Sequence, residues 1–170
     1  MFKLLFDFWY LPFLFSSILS NGDEWKIVLS PQDDKGEKLI VSGIVYSEDG
    51  KTPVEGITVY VYHTGVNGIY GKGNDLIDGT MITNAKGQYE YQTIKPGAYP
   101  GGSNPAHVHY KITGKGYPEQ WFELRFSGDK YLKESDYKKE EGKGSFSQIQ
   151  KPEKGNDGIL RSRMDIILNK

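Results

Sequence analysis

Two of the three histidines in this chain, His107 and His109, stand two residues apart in the stretch NPAHVHY, residues 104–110. In a strand, positions i and i+2 point to the same face, so both imidazoles project side by side from one sheet surface. A neutral imidazole offers a lone pair to a cation, and two on one surface are natural metal ligands. The same spacing occurs in unrelated zinc, copper and iron sites and on solvated strands, so its meaning depends on the donors around it. Thiolates are not among them. The sequence contains no cysteine, which removes thiolate metal sites, disulfides, haem attachment and a cysteine nucleophile together. Upstream stand two tyrosines, Tyr99 in TIKPGAYPGG and Tyr70 in YVYHTGVNGIYG.

The elements that must hold these residues read as strands. KLIVSGIVYS, ITVYVYH, GTMITNAKGQYEYQTI, AHVHYKIT, QWFELRFSG and MDIILNK are rich in Val, Ile, Thr, Tyr and Phe, and Asp-Gly, Lys-Gly and Pro-Gly interrupt them. In ITVYVYH, Ile57, Val59 and Val61 fall on one face and Thr58, Tyr60 and Tyr62 on the other. Several such strands with turns between them predict an all-β fold, an antiparallel β-sandwich with long loops. Residues 130–158, rich in Lys, Glu, Gly, Ser and Gln, read as a long exposed excursion before the last strand. A short helical turn over 135–141 fits within it, and no convincing amphipathic helix or internal repeat is present.

At 170 residues and a net charge of −1, the chain is sized for one domain and has no long basic run, which argues against nucleic acid as a partner. Its first twenty residues, MFKLLFDFWYLPFLFSSILS, read as a secretory signal cleaved near Ser20–Asn21, leaving residues 21–170 as a single sandwich domain. Asp7 and Pro12 interrupt the apolar run, which is short for a membrane span. The other readings of this stretch are an uncleaved anchor or a misplaced start. Export, to the periplasm or outside the cell, is the expectation, and a misplaced start makes the protein cytoplasmic. A lipid-anchored lipoprotein needs a cysteine and is excluded.

Four ordered pieces give the sequence a likeness to a known family. SGIVYSEDGKTPVEGITVYVYH, NGIY, TNAKGQYEYQTIKPGAYP and PAHVH resemble the opening hairpin, the first tyrosine segment, the TDxxGxYxFxTIxPxxYP run and the PAHIH motif of the intradiol ring-cleavage dioxygenases. This is the non-haem iron(III) family of protocatechuate and catechol dioxygenases. The likeness covers most of residues 38–130 and resumes at the last strand. It implies Tyr70, Tyr99, His107 and His109 as ligands of Fe(3+). A free phenol has a pKa near 10, so two phenolates need a strongly charged partner, and a hard trivalent ion favours anionic oxygen. The resemblance further implies that a catechol binds through both oxygens, displacing Tyr99, that dioxygen attacks the ring, and that a cis,cis-muconate results. A small catechol and dioxygen are then the expected partners, with no organic cofactor.

Two positions depart from the family pattern. Asn104 stands where RPAHIH has arginine, and Glu123 stands where TQLYF has glutamine. A carboxylate in place of an amide beside an electron-rich dianion disfavours turnover. Arg125, two residues on, shares the face of Glu123 and could restore a positive charge. Other conspicuous residues have plainer readings. Tyr60, Tyr62, Tyr89, Tyr91 and Tyr110 read as packing or surface, His63 as a structural hydrogen-bonding residue, Asn84 as turn chemistry, and Trp121 and Phe122 as core or pocket wall. Two alternatives to the dioxygenase stay open: an exported sandwich that binds without turnover, and a zinc or copper site.

Overall fold

The computed structural model describes residues 24–30, 35–72, 76–114 and 116–170, so the apolar stretch expected as a leader lies outside the described residues. In chain order the strands are β1 Lys26–Val28, β2 Lys38–Tyr46, β3 Thr58–His63, β4 Ile77–Ile82, β5 Gln88–Ile94, β6 His107–Gly114 and β7 Tyr117–Phe126. A helix α1, Glu134–Glu140, and a single 3-10 turn at Gly144–Phe146 follow. The chain ends with β8 Ile149–Gln150, β9 Glu153–Lys154, β10 Leu160–Arg163 and β11 Ile166–Ile167. One sheet runs β1-β5-β2-β10-β9, with β11 also on β2, and the other runs β4-β3-β6-β7-β8. The all-β sandwich expected from the sequence is the architecture found.

Alternation decides which side chains meet between the sheets. Leu39, Val41 and Val45 of β2 and Tyr89 and Tyr91 of β5 face Val59 and Val61 of β3, Val108, Tyr110 and Ile112 of β6, and Leu124 and Phe126 of β7 in one buried cluster. Fully burying an aliphatic or aromatic side chain of this size contributes about 1.5–3 kcal/mol, so this layer dominates the stability. The core tyrosines keep their hydroxyls satisfied. Tyr89 donates to the Met164 carbonyl at 2.6 Å, and the Tyr91 and Tyr110 hydroxyls share a bond of 2.7 Å. Turn chemistry is as expected at Asn84, whose Oδ1 accepts the N–H groups of Lys86 and Gln88 at 2.9 and 3.0 Å.

Three features differ from the sequence expectation. First, the sheets are mixed: the central pairs are antiparallel, whereas β1–β5, β2–β10, β2–β11 and β7–β8 run parallel. Secondly, β1 is an additional edge strand, and β10 is an additional strand ahead of the expected last strand MDIILNK, within which β11 forms; β10 and β11 both lie on β2. Thirdly, the 130–158 excursion contributes the edge strands β8 and β9, beside α1, which falls on the short helical turn expected over 135–141. No residue of α1 is buried, so it carries no apolar stripe. Its ends are tied by polar bonds instead. Asp136 accepts the Lys133 N–H at 2.9 Å, the Tyr137 hydroxyl accepts the Gly128 N–H at 3.0 Å, and Glu140 accepts the Gln148 N–H at 2.7 Å. Among the described residues no helix is long and apolar enough to cross a membrane.

His63, on the core face of β3, is fully buried. Its Nδ1 donates to the Thr64 carbonyl at 2.8 Å, and its Nε2 accepts the Thr93 hydroxyl at 2.7 Å. Burial pulls its pKa down from 6.5 to about 4. The unfolded chain therefore takes up this proton first, so stability is full above about pH 6.5 and falls as pH drops towards 4, by about 3 kcal/mol in all. Urea unfolding at pH 7 and pH 5 tests this: His63→Gln should flatten the pH dependence that the parent protein shows between those values.

Candidate metal centre

The outer face of the second sheet carries the histidine pair. Because Val108, Tyr110 and Ile112 fill the core, His107 and His109 must leave β6 on the opposite side. The His107 Nδ1–H donates to the Pro105 carbonyl at 2.7 Å, which fixes its Nε2 as a lone-pair donor. That nitrogen lies 3.0 Å from Nε2 of His109. Two lone pairs cannot face each other at that range, so a proton or a cation must lie between them. Burial and the neighbouring His107 hold the His109 pKa below its usual value, which favours the neutral, metal-ready ring.

The tyrosines arrive on two loops stitched to each other. Tyr70 lies in the loop after β3, and Tyr99 in the loop after β5. The Gly97 N–H bonds the Gly65 carbonyl at 3.0 Å, and the Thr64 hydroxyl bonds the Gly97 carbonyl at 2.9 Å. Gly68 adopts φ +74°, and any Cβ there would collide with the Ala98 carbonyl, so only glycine permits this approach. The phenol oxygens come within 2.6 Å of each other. Tyr99 Oη lies 3.2 Å from Nε2 of His107 and 3.3 Å from Nε2 of His109. Of the four residues singled out in the sequence, Tyr99, His107 and His109 thus meet through their oxygen and nitrogen atoms, and Tyr70 joins them through Tyr99. With metal–ligand bonds of about 2.1 Å, donors at right angles lie about 3.0 Å apart, so this cluster suits a single ion. Burial and the Tyr99 hydroxyl push the Tyr70 phenol well above its usual pKa, so without a cation it stays neutral, and metal binding must release its proton.

Around the cluster lies an open cavity of about 540 Å³. Tyr99, His107, His109, Asn104, Glu123 and Arg125 all line it, and Tyr70 does not. Tyr131, Lys133 and Lys139 also line it, so the 130–158 segment contributes to its wall. A groove of equal volume beside α1 holds no comparable set of donors. Register places Arg125 opposite His107 and Glu123 opposite His109. The Glu123 carboxylate lies 3.8 Å from Nδ1 of His109 and 3.7 Å from Nε of Arg125, and that Nε is buried without a hydrogen-bond partner. His107, His109 and Glu123 each offer an atom within 4.8 Å of the others, a possible metal site in its own right. Asn104 is exposed at the rim.

Sequence reasoning missed Tyr62. It sits opposite His109 across β3 and β6, and its ring stacks on the imidazole at 4.6 Å and 18°. Its outward place in ITVYVYH was visible, but the strand register that brings it to His109 was not. Gly68→Ala should cost about 1–3 kcal/mol of backbone strain. It should part Tyr70 from Tyr99 and weaken metal uptake at least tenfold while the sheets still fold, which a metal titration beside a circular-dichroism melt would show.

Known proteins share this arrangement of chain. A family model described as "Dioxygenase" matches residues 14–170. The protocatechuate 3,4-dioxygenase beta chain of Burkholderia cepacia is 34% identical over 113 residues, 57% of this chain and 48% of that protein. Catechol 1,2-dioxygenase of Acinetobacter baylyi is 26% identical over 122 residues, 58% of this chain and 39% of that one. The chain therefore spans half or less of the length of these relatives. Among solved structures, the dioxygenase domain of a dioxygenase–carbohydrate-binding fusion from Streptomyces sp. SirexAA-E shares the fold with TM-score 0.68 and 22% identity, over 84% of this chain and 86% of that one. The 3-chlorocatechol 1,2-dioxygenase of Rhodococcus opacus superposes with TM-score 0.70 at 18% identity, over 85% of this chain and 64% of that one. From the ordered motifs through the sandwich to a match that runs to the last residue, the chain belongs to the family of intradiol ring-cleavage dioxygenases.

Proposed function

We propose that this protein is a non-haem iron(III) dioxygenase that opens a catechol-type ring with dioxygen to a cis,cis-muconate-type product. The observation that carries the proposal is that Tyr99 meets Nε2 of His107 and of His109 at 3.2 and 3.3 Å on the wall of a substrate-sized cavity, with the Tyr70 hydroxyl 2.6 Å from that of Tyr99. Two phenolates and two neutral imidazoles are hard and borderline donors, which suit iron(III) better than zinc. Iron(III) held there would supply the Lewis acidity that stabilises a doubly deprotonated catechol and activates its ring towards dioxygen.

The protein's own groups divide the remaining work. Tyr99 faces the cavity, so its phenolate oxygen is placed to accept a hydroxyl proton from an entering catechol. Tyr70 lies behind it and stays a fixed ligand. Arg125 brings a positive charge to the floor next to His107, where the anionic ring must lie, in place of the arginine that Asn104 replaces. Asn104 offers an amide hydrogen bond at the rim. Pro105 and Tyr131 also line the cavity.

Mixing iron(III)-reconstituted protein with catechol under air, while following its visible spectrum and product, tests the proposal. The protein should be red to burgundy, catechol should shift the band, and the original band should return as muconate forms. A coloured protein that shifts and makes no product is a binding protein, and the dioxygenase reading then fails. Removing iron with a chelator should bleach the protein and abolish turnover. Arg125→Ala should lower kcat/KM by roughly 10²-fold, the cost of losing one preorganised charge at a reacting anion, and Asn104→Arg should restore part of that loss. Unchanged activity in Arg125→Ala would refute the role given to that residue.

A further inference from the structure

His107 and His109 are not equivalent ligands. The Nδ1–H of His107 is held by a neutral acceptor, the Pro105 carbonyl, at 2.7 Å. His109 has no such carbonyl among the described residues. The acceptor that faces its Nδ1 is the Glu123 carboxylate, 3.8 Å away on the neighbouring strand. From the same face Tyr62 stacks on the imidazole at 4.6 Å and so fixes the plane of the ring. The Glu123 main chain is anchored, its N–H donating to Oε1 of Gln148 at 2.8 Å, and the 3.8 Å gap from its half-exposed carboxylate to Nδ1 is one that a single water can bridge. Glu123 addresses Nδ1, whereas the donor cluster gathers at Nε2, on the other edge of the same ring.

We infer that Glu123 is a positioning residue for His109, a carboxylate that accepts the Nδ1–H of the imidazole and thereby fixes and strengthens Nε2 as a metal donor. The inference rests on the four-donor reading above. Its physical basis is that a charged acceptor makes a stronger bond than a carbonyl and returns electron density to the ring. It also gives the Glu123 departure a use: the negative charge is directed at His109 and Arg125 rather than left to repel an anionic ring. Glutamine, the family's residue at this place, supplies only a neutral acceptor. The two imidazoles therefore differ in donor strength, with His109 the stronger.

The test compares the full-length protein with Glu123→Gln in three measurements. Iron(III), supplied as the citrate, should bind the variant roughly 10–100-fold more weakly. The tyrosinate-to-iron charge-transfer band of the variant should move to longer wavelength, because a weaker imidazole leaves the ion more electron-poor. In protein loaded with diamagnetic gallium(III), the Nδ1–H proton resonance of His109 should move upfield in the variant while that of His107 stays in place. The metal-free unfolding midpoint should not change, which separates this role from a structural one. Equal affinity, band and resonance in the two proteins would overturn the inference and leave the four-donor site standing. Loss of metal from Glu123→Gln with retention in His109→Gln would overturn it differently, by making the carboxylate a direct ligand. A parent protein that takes up neither ion would overturn the four-donor reading, and this inference with it.

Discussion

The pairing of β6 between β3 and β7 is the constraint on which the rest of the site depends. Side chains alternate strictly along a strand, so a slip of one residue would send His107 and His109 into the core and Val108 and Tyr110 to the surface. Burial forbids that slip. Tyr110, Val108 and Ile112 are sealed between the sheets, and the Tyr110 hydroxyl has its partner there in Tyr91. The same register puts Tyr62 against one side of His109, and Glu123 and Arg125 beside the two imidazoles. The apolar side of β6 therefore sets the geometry of its polar side.

Register alone supplies only half of the donors. The phenols come from loops, which cost more to hold because each backbone group must find a partner away from a ladder. Here the two loops satisfy one another, through Gly65, Gly97 and Thr64, and the close approach needs glycine. The result is a closely hydrogen-bonded cluster of two phenols and two imidazoles. Two ring nitrogens face each other at 3.0 Å, and two phenol oxygens sit at 2.6 Å. Preorganisation of this kind shifts the balance towards metal binding, because the protein has already met the cost of bringing the donors together.

Much of this was legible in the sequence, for identifiable reasons. The β3 and β6 strands alternate cleanly, so their faces could be read residue by residue, and the histidine pair followed. Tyr70 and Tyr99 were legible only through the ordered motifs around them, since twelve tyrosines make any single one unremarkable. His63 was read as a hydrogen-bonding residue and is one. The illegible parts share a cause. Strands β8 and β9 have two residues each and exist only because an edge was available to pair with. Tyr62 and the aim of the Glu123 carboxylate depend on cross-strand register, which a linear pattern does not contain.

The central claim is that Tyr70 and Tyr99 bind one iron(III) together with the two histidines. Resonance Raman spectra of the iron-loaded protein, excited in its visible band, test that claim most directly. Two distinguishable sets of phenolate vibrations should be enhanced, with Tyr70→Phe removing one set and Tyr99→Phe the other. A spectrum without phenolate modes, or one that both substitutions leave unchanged, would contradict the account.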